Sequence, residues 1–167
     1  MYHNFIGIDI SKDEFHVAVY GNSGVLRFNN NNDGFQKFAT EYCKILTESI
    51  IVLETTGGYE SAILDFLCKS SIAVHRANAR VVKSYIRSLS KLGKSDTIDA
   101  QGLARYAKER HEDFKLFVPS SDSSKELAEL VNRKTELKQM IVKEKNRLKA
   151  PDNKFCKLSN NNVITLL

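Results

Sequence analysis

Short apolar runs, some with a two-residue alternation, dominate the first 28 positions of the chain. Residues 4–10, NFIGIDI, are typical of a buried strand, and residues 14–20, EFHVAVY, alternate like a strand with one wet face. A third run, residues 24–28, follows a Gly- and Asn-containing turn sequence. Because only residues 11–13 separate the first two runs, we predict a hairpin and three antiparallel strands.

A spacing of three and four residues replaces this alternation further along the chain. It predicts helices over residues 35–46, 61–69, 79–89 and about 95–110. Between them, residues 50–53 and 72–75 are short apolar runs, as expected for strands inside a covered sheet. We therefore predict an α/β domain over residues 1–118, with three antiparallel strands followed by βαβα and helices on both faces of a mixed sheet.

A charged stretch without Gly or Pro, residues 122–149, predicts one long helix. Five of its seven seam positions are apolar, and the seam consists of Leu127, Leu130, Lys134, Leu137, Ile141, Glu144 and Leu148. We expect residues 119–150 to form a coiled-coil-like helix through which the chain associates into a homo-oligomer. Residues 151–167 show no clear period, and we expect a tail that is disordered or cut short.

The charge of the chain divides unevenly. Residues 1–78 hold 6 Lys/Arg against 9 Asp/Glu, a net charge of −3, whereas residues 79–167 hold 19 against 11, a net charge of +8. A basic half beside acidic residues suits an enzyme that acts on a polyanion, because cationic side chains hold phosphates. The alternative is a solvated, lysine-rich helix surface, above all beyond residue 125.

Other features of the composition exclude several classes of protein. No apolar stretch approaches the roughly 20 residues that span a bilayer, and the N-terminus lacks the pattern of a secretory signal. The three cysteines are widely spaced and form no CxxC pair. We expect a cytoplasmic protein with no membrane association, no disulfide framework and no zinc site.

Four carboxylates carry the candidate chemistry: Asp9, Glu54, Asp96 and Asp99. Asp9 and Glu54 each end an apolar strand run, and sites gather at the carboxyl ends of strands in α/β sheets. Asp96 and Asp99, three apart on a predicted helix, share one face. Such oxygen ligands suit Mg²⁺ or Mn²⁺, which points to metal-dependent phosphoryl transfer. Taken singly, each acid is equally well explained as a turn, cap or helix N-terminal residue.

Three motifs occur in order: GIDISK at residues 7–12, ETTGGY at 54–59 and KSDTIDA at 94–100, with ARVVKSY at 79–85 before the last. Together they closely resemble the N-terminal part of the DEDD insertion-sequence transposases. The resemblance covers residues 4–110, and the helix over 122–149 is similar to the family's coiled-coil region more loosely.

The resemblance implies an RNase H-like domain of the Holliday-junction-resolvase type, with the four acids named above as a Mg²⁺-binding tetrad. It also implies DNA recombination, in which family members use a structured guide RNA. Members of the family are longer, and their second domain supplies a serine. Because nothing after Leu148 resembles that domain, we expect the chain to be the N-terminal portion of such an enzyme.

Two other interpretations remain open. An ATPase of the actin and sugar-kinase type shares the opening three strands, although Ile10-Ser11-Lys12 departs from its usual phosphate-binding sequence. A non-enzymatic module that binds nucleic acid and oligomerises would use the basic residues and the long helix alone. Both the transposase and the non-enzymatic module would bind nucleic acid. For both, the candidate phosphate contacts are Lys12, Arg80, Lys83, Arg87, Lys91 and Lys94.

Overall fold

A computed structural model describes residues 1–89, 96–149 and 157–166. The chain divides into two units, Met1–Pro119 and Ser120–Leu167. The first unit contains the sheet, and nearly all described residues of the second unit lie in helices.

Five strands form the sheet of the first unit: β1 (Asn4–Ile10), β2 (Glu14–Val19), β3 (Val25–Asn29), β4 (Ser49–Glu54) and β5 (Ala73–Ala77). Their order across the sheet is β3-β2-β1-β4-β5. The β1–β2 and β2–β3 pairs are antiparallel, whereas β1–β4 and β4–β5 are parallel. This mixed architecture confirms the predicted sheet and is consistent with the RNase H-like fold that the resemblance implies.

Helices cover both faces of the sheet: α1 (Asn32–Glu41) and α2 (Ser61–Lys69) on one, α3 (Ala79–Ser88) and α4 (Asp96–Arg110) on the other. Side chains alternate along a strand, so β1 and β4 contribute to two cores. Ile6 and Ile8 pack on the α1 and α2 side, whereas Phe5 packs with Leu103 of α4. Because both faces are covered, every residue of β4 is buried.

Small residues let α4 approach the sheet closely. A Cβ atom at Gly7 of β1 would lie 2.2 Å from the backbone nitrogen of Ala104 and 2.3 Å from the carbonyl oxygen of Ala100. Ala18 of β2 completes the contact with these two alanines. The helix backbone therefore rests directly on the strand that carries Asp9.

The first helix differs from its predicted range of 35–46. It begins at Asn32, because the Asn31 side chain caps it by accepting a hydrogen bond from the Gly34 amide at 2.9 Å. It ends at Glu41, and the apolar residues that follow reach the core from a turn and a short 3₁₀ segment, Leu46–Glu48. The apolar spacing thus marked the buried positions correctly but not the end of the helix.

The second unit contains α5 (Asp122–Lys149) and α6 (Lys157–Leu166), which contact each other. Although residues 151–167 show no clear period, α6 is helical, and its contact with α5 provides stabilisation that local sequence patterns do not reveal. Several large apolar side chains of α5 are exposed, among them Leu127, Leu130, Val131 and Val142. Among the described residues, no helix combines the length and the apolar character that crossing a bilayer requires.

Candidate functional site

Two of the predicted acids end neighbouring parallel strands. In the register of β1 and β4, Ile8 is paired with Leu53, so Asp9 and Glu54 come next at the carboxyl ends of the two strands. Ile8 and Leu53 point into the core beneath α1 and α2. Because side chains alternate along a strand, Asp9 and Glu54 belong to the opposite side, which α3 and α4 cover.

The third acid reaches this end of the sheet on α4. Ala100 and Ala104 pack on Gly7, and further along the helix the Lys108 ammonium lies 4.7 Å from the ring centroid of Phe5. Helix α4 therefore runs antiparallel to β1, and its first turn lies towards the carboxyl end of that strand. Asp99 is in this first turn, and its charge acts on Glu54 by raising the pKa of that carboxyl group.

Asp96 is the first residue of α4, but its side chain lies outside the described part of the structure. The structure thus brings Asp9, Glu54 and Asp99 to one end and one side of the sheet. It leaves the fourth predicted acid placed by its backbone alone.

Glu54 occupies an unusual position for a carboxylate, since it is only 9% exposed. Burial raises its pKa, the neighbouring Lys83 lowers it, and Asp99 raises it, with a net shift upwards. The Lys83 ammonium lies 3.4 Å from Glu54 Oε1. The positive charge of Lys83 therefore offsets part of the free-energy cost of burying the Glu54 carboxylate and of its repulsion by Asp99.

These residues suit a hard divalent cation by their chemistry. Carboxylate oxygens are the ligands that Mg²⁺ and Mn²⁺ prefer. The ion pair with Lys83 shows that the Glu54 carboxylate already has a cation beside it. Within the described ranges, however, no three His, Cys, Asp or Glu side chains lie together as a group that could hold a metal ion. The donor set therefore fits, but the described side chains are not arranged as a finished metal site.

Some of the predicted phosphate contacts lie near these acids. Arg80, Lys83 and Arg87 are exposed on α3 and are spaced three and four residues apart, and Lys12 is exposed in the turn that follows β1. Of these, Lys83 pairs with Glu54. Lys91 and Lys94 lie outside the described residues.

The sequence did not reveal a second buried acid, Glu60, which is 0% exposed. Its carboxylate accepts hydrogen bonds from the amides of Thr56 and Gly58 and from the Arg76 guanidinium, the shortest at 2.6 Å. A glutamate next to a Gly-Gly turn has the sequence context of a surface residue, and its partner Arg76 is 16 residues away on β5. No local pattern distinguishes such a residue from a solvated one.

The chain also matches known proteins. A family model described as a transposase, of the DEDD insertion-sequence group, matches residues 6–151. The pilin gene-inverting protein of Moraxella bovis is 28% identical over 151 residues, which are 87% of this chain and 46% of that protein. The pilin gene-inverting protein of Moraxella lacunata matches with the same identity and coverage. The chain thus spans about half the length of these curated relatives.

Proposed function

Because the chain belongs to the DEDD insertion-sequence transposases, as its motifs predicted, we propose that it forms the acidic part of the catalytic centre of a DNA transposase or site-specific recombinase. The acids are Asp9, Glu54, Asp96 and Asp99. One observation carries the proposal: Glu54 is buried at the end of β4, next to the strand that carries Asp9, and responds to the charge of Asp99.

The four acids would hold Mg²⁺ or Mn²⁺, since a carboxylate-only donor set prefers these ions. When bound, such ions supply stabilisation of the charge that develops on the phosphate and on the leaving oxygen. The protein contributes the placement of the carboxylates on two rigid strands and the first turn of a helix, which limits their reorganisation. Lys83 contributes a positive charge that lowers the pKa of Glu54 and so opposes the upward effect of burial.

The basic face of α3 would hold the DNA backbone. Arg80 and Arg87 are exposed on the same helix as Lys83, which itself contacts a candidate catalytic acid. Phosphates bound along this helix would therefore lie near the acids, with Lys12 on the turn after β1 as a further contact. Lys91 and Lys94, which the structure does not describe, belong to the same proposal by their sequence position.

Two further partners belong to this proposal. A structured guide RNA is a polyanion that the same cations would hold, as the family resemblance implies. A second copy of the chain would bind through α5, where Leu127 is 63% and Leu130 is 61% exposed although both occupy predicted seam positions. Burial of these side chains against a partner helix would stabilise a homo-oligomer.

The metal site is tested by Mn²⁺ binding to the chain, measured by calorimetry. Asp9→Asn removes one predicted ligand and should weaken Mn²⁺ binding by roughly tenfold or more, in line with the loss of a charged ligand. Asp13→Asn is the matched control, because Asp13 is an exposed acid in the adjacent turn. Equal affinities of the wild-type chain and Asp9→Asn, or no binding to the wild-type chain, would refute the proposed site.

A second candidate function has its own observation. Since Lys83 pairs with Glu54 and the described side chains form no group ready to hold a metal ion, the chain would act as a catalytically inactive module that binds nucleic acid and oligomerises. DNA binding that is unchanged by EDTA and falls steeply with salt, together with no Mn²⁺ binding, would favour this alternative. Family membership favours both over an ATPase of the actin and sugar-kinase type.

A further inference from the structure

Two connections leave the strands that carry the candidate catalytic acids. The turn at residues 11–13 follows β1 and Asp9, and the loop at residues 55–60 follows β4 and Glu54. Because β1 and β4 are parallel neighbours, both connections emerge at the same edge of the sheet. The positions of these two connections therefore constrain the ends of the strands and the carboxylates on them.

The first connection is a tightly bonded turn. The amide and the hydroxyl of Ser11 both donate to the carbonyl oxygen of Glu14, at 2.8 and 2.9 Å. The amide of Asn30, just beyond β3, donates to the carbonyl oxygen of Asp13 at 2.9 Å. The turn is thus fixed both within itself and to the residue that follows β3.

The second connection is organised around the buried Glu60 carboxylate. It accepts hydrogen bonds from the Thr56 amide at 3.1 Å and the Gly58 amide at 2.9 Å, and from two nitrogens of Arg76. Burial acts to raise the pKa of Glu60, but these hydrogen bonds outweigh it and lower the pKa to about 2. The loop is therefore held from the inside by an ionised side chain.

One side-chain amide joins the two connections. Asn30 Nδ2 donates to the carbonyl oxygen of Ser11 at 3.0 Å and to that of Tyr59 at 3.1 Å. The two acceptors belong to the two different connections and are 48 residues apart in the sequence. An amide group has two N–H donors in one plane, so a single rigid group sets the separation of the two backbones.

We propose that Asn30 is a positioning residue, which clamps the connections after β1 and β4 together and so sets the spacing of Asp9 and Glu54. This role rests on the proposed function, because it requires that the two carboxylates act on one ligand. Asn30 does not touch the ligand itself. It acts through the backbones of Ser11 and Tyr59. The Glu60–Arg76 pair limits the movement of the loop that contains Tyr59.

Asn30→Asp tests the clamp, because the variant keeps the shape of the side chain but replaces both N–H donors by an oxygen. Asn29→Asp is the matched control, since Asn29 is an exposed neighbour at the end of β3 and undergoes the same change of charge. Hydrogen exchange followed by mass spectrometry should show faster exchange of residues 11–13 and 55–60 together, by roughly tenfold, in Asn30→Asp alone. Faster exchange in only one segment, or in neither, would overturn the clamp.

Mn²⁺ binding separates positioning from a merely structural role. An added negative charge near the site would by itself strengthen Mn²⁺ binding, and Asn29→Asp measures that effect. If Asn30 positions the acids, Asn30→Asp should weaken binding by roughly threefold or more despite its charge, and Asn30→Gln, which keeps the donors, should recover part of the loss. Unchanged affinity in Asn30→Asp would overturn the positioning role. An absence of Mn²⁺ binding to the wild-type chain would instead overturn the proposed function, while the exchange result would still decide whether Asn30 couples the two connections.

Discussion

Replacing Gly7 by alanine should destabilise the first unit and displace the helix that carries Asp99. The new Cβ would lie 2.2 Å from the Ala104 nitrogen, 2.3 Å from the Ala100 oxygen and 2.7 Å from the Leu103 carbonyl carbon, whereas ordinary contacts begin near 3.4 Å. All three atoms belong to the backbone of α4, so a change of rotamer cannot relieve the overlap. The helix has to move by roughly 1 Å, a distance that exceeds what packed interiors absorb without cost.

The magnitude follows from measured cases of overpacking, which cost about 1–3 kcal/mol and occasionally more. For a unit of this size, each kcal/mol lowers the Tm by roughly 3–6 °C. We therefore expect Gly7→Ala to lower the Tm by about 3–18 °C in thermal unfolding followed by circular dichroism. The displacement of α4 should also weaken any Mn²⁺ binding that depends on Asp99.

Two other glycines provide controls for this prediction. A Cβ at Gly24 meets no atom within 4 Å, so Gly24→Ala should leave the Tm unchanged or slightly raised. At Gly102 the nearest atoms are side-chain carbons of Ile86, which are able to move. Because alanine also has the higher helix propensity, Gly102→Ala should cost less stability than Gly7→Ala. A Gly7→Ala chain that melts within 1 °C of the wild-type chain (about 0.2–0.3 kcal/mol) would refute the close approach of α4.

Two predictions concern the charges near the site. Because the pKa of Glu60 is about 2 in the folded chain, below its ordinary value near 4.5, its contribution to stability is complete above pH 4.5 and is lost as the pH falls towards 2; it is at most about 3 kcal/mol. Urea unfolding at pH 7 and pH 3 should show about 2 kcal/mol of this loss in the wild-type chain and not in Glu60→Gln. An identical pH dependence of the two chains would contradict the prediction. Lys83→Met should raise the pKa of Glu54 further, because Lys83 lowers it at present. A ¹³C-carboxyl NMR titration measures this pKa, and Arg87→Met is the control on the same helix. A Glu54 pKa in Lys83→Met equal to that of the wild-type chain would count against the ion pair.

The sheet was predictable because its strands carry strong local signals. The apolar runs at residues 4–10 and 50–53 lie in β1 and β4, the two strands that are covered on both faces. The ends of the first helix were less predictable, because capping by Asn31 and packing of Tyr42 and Leu46 outside the helix depend on three-dimensional context. Helix α6 was missed for the same reason, since its sequence has no amphipathic period of its own.

The candidate site was likewise predictable from the sequence only for some of its residues. Asp9 and Glu54 stand out in the sequence because each ends a strand run, and a parallel register then makes them neighbours. The pairing of Lys83 with Glu54 was not predictable, since α3 presents Lys83 among other exposed cations with the same spacing. Asn30, Glu60 and Arg76 act through hydrogen bonds between distant segments, and their positions in a polar loop or a short strand carry no local sign of that role.

The way in which α4 closes over β1 has a consequence for biosynthesis. Asp9 and Glu54 emerge from the ribosome well before residue 96, but without α4 the face that carries them lacks one of its two covering helices and the acid in the first turn of that helix. Since contacts between distant segments form late in folding, the acid on α4 joins Asp9 and Glu54 only when nearly the entire first unit has been synthesised.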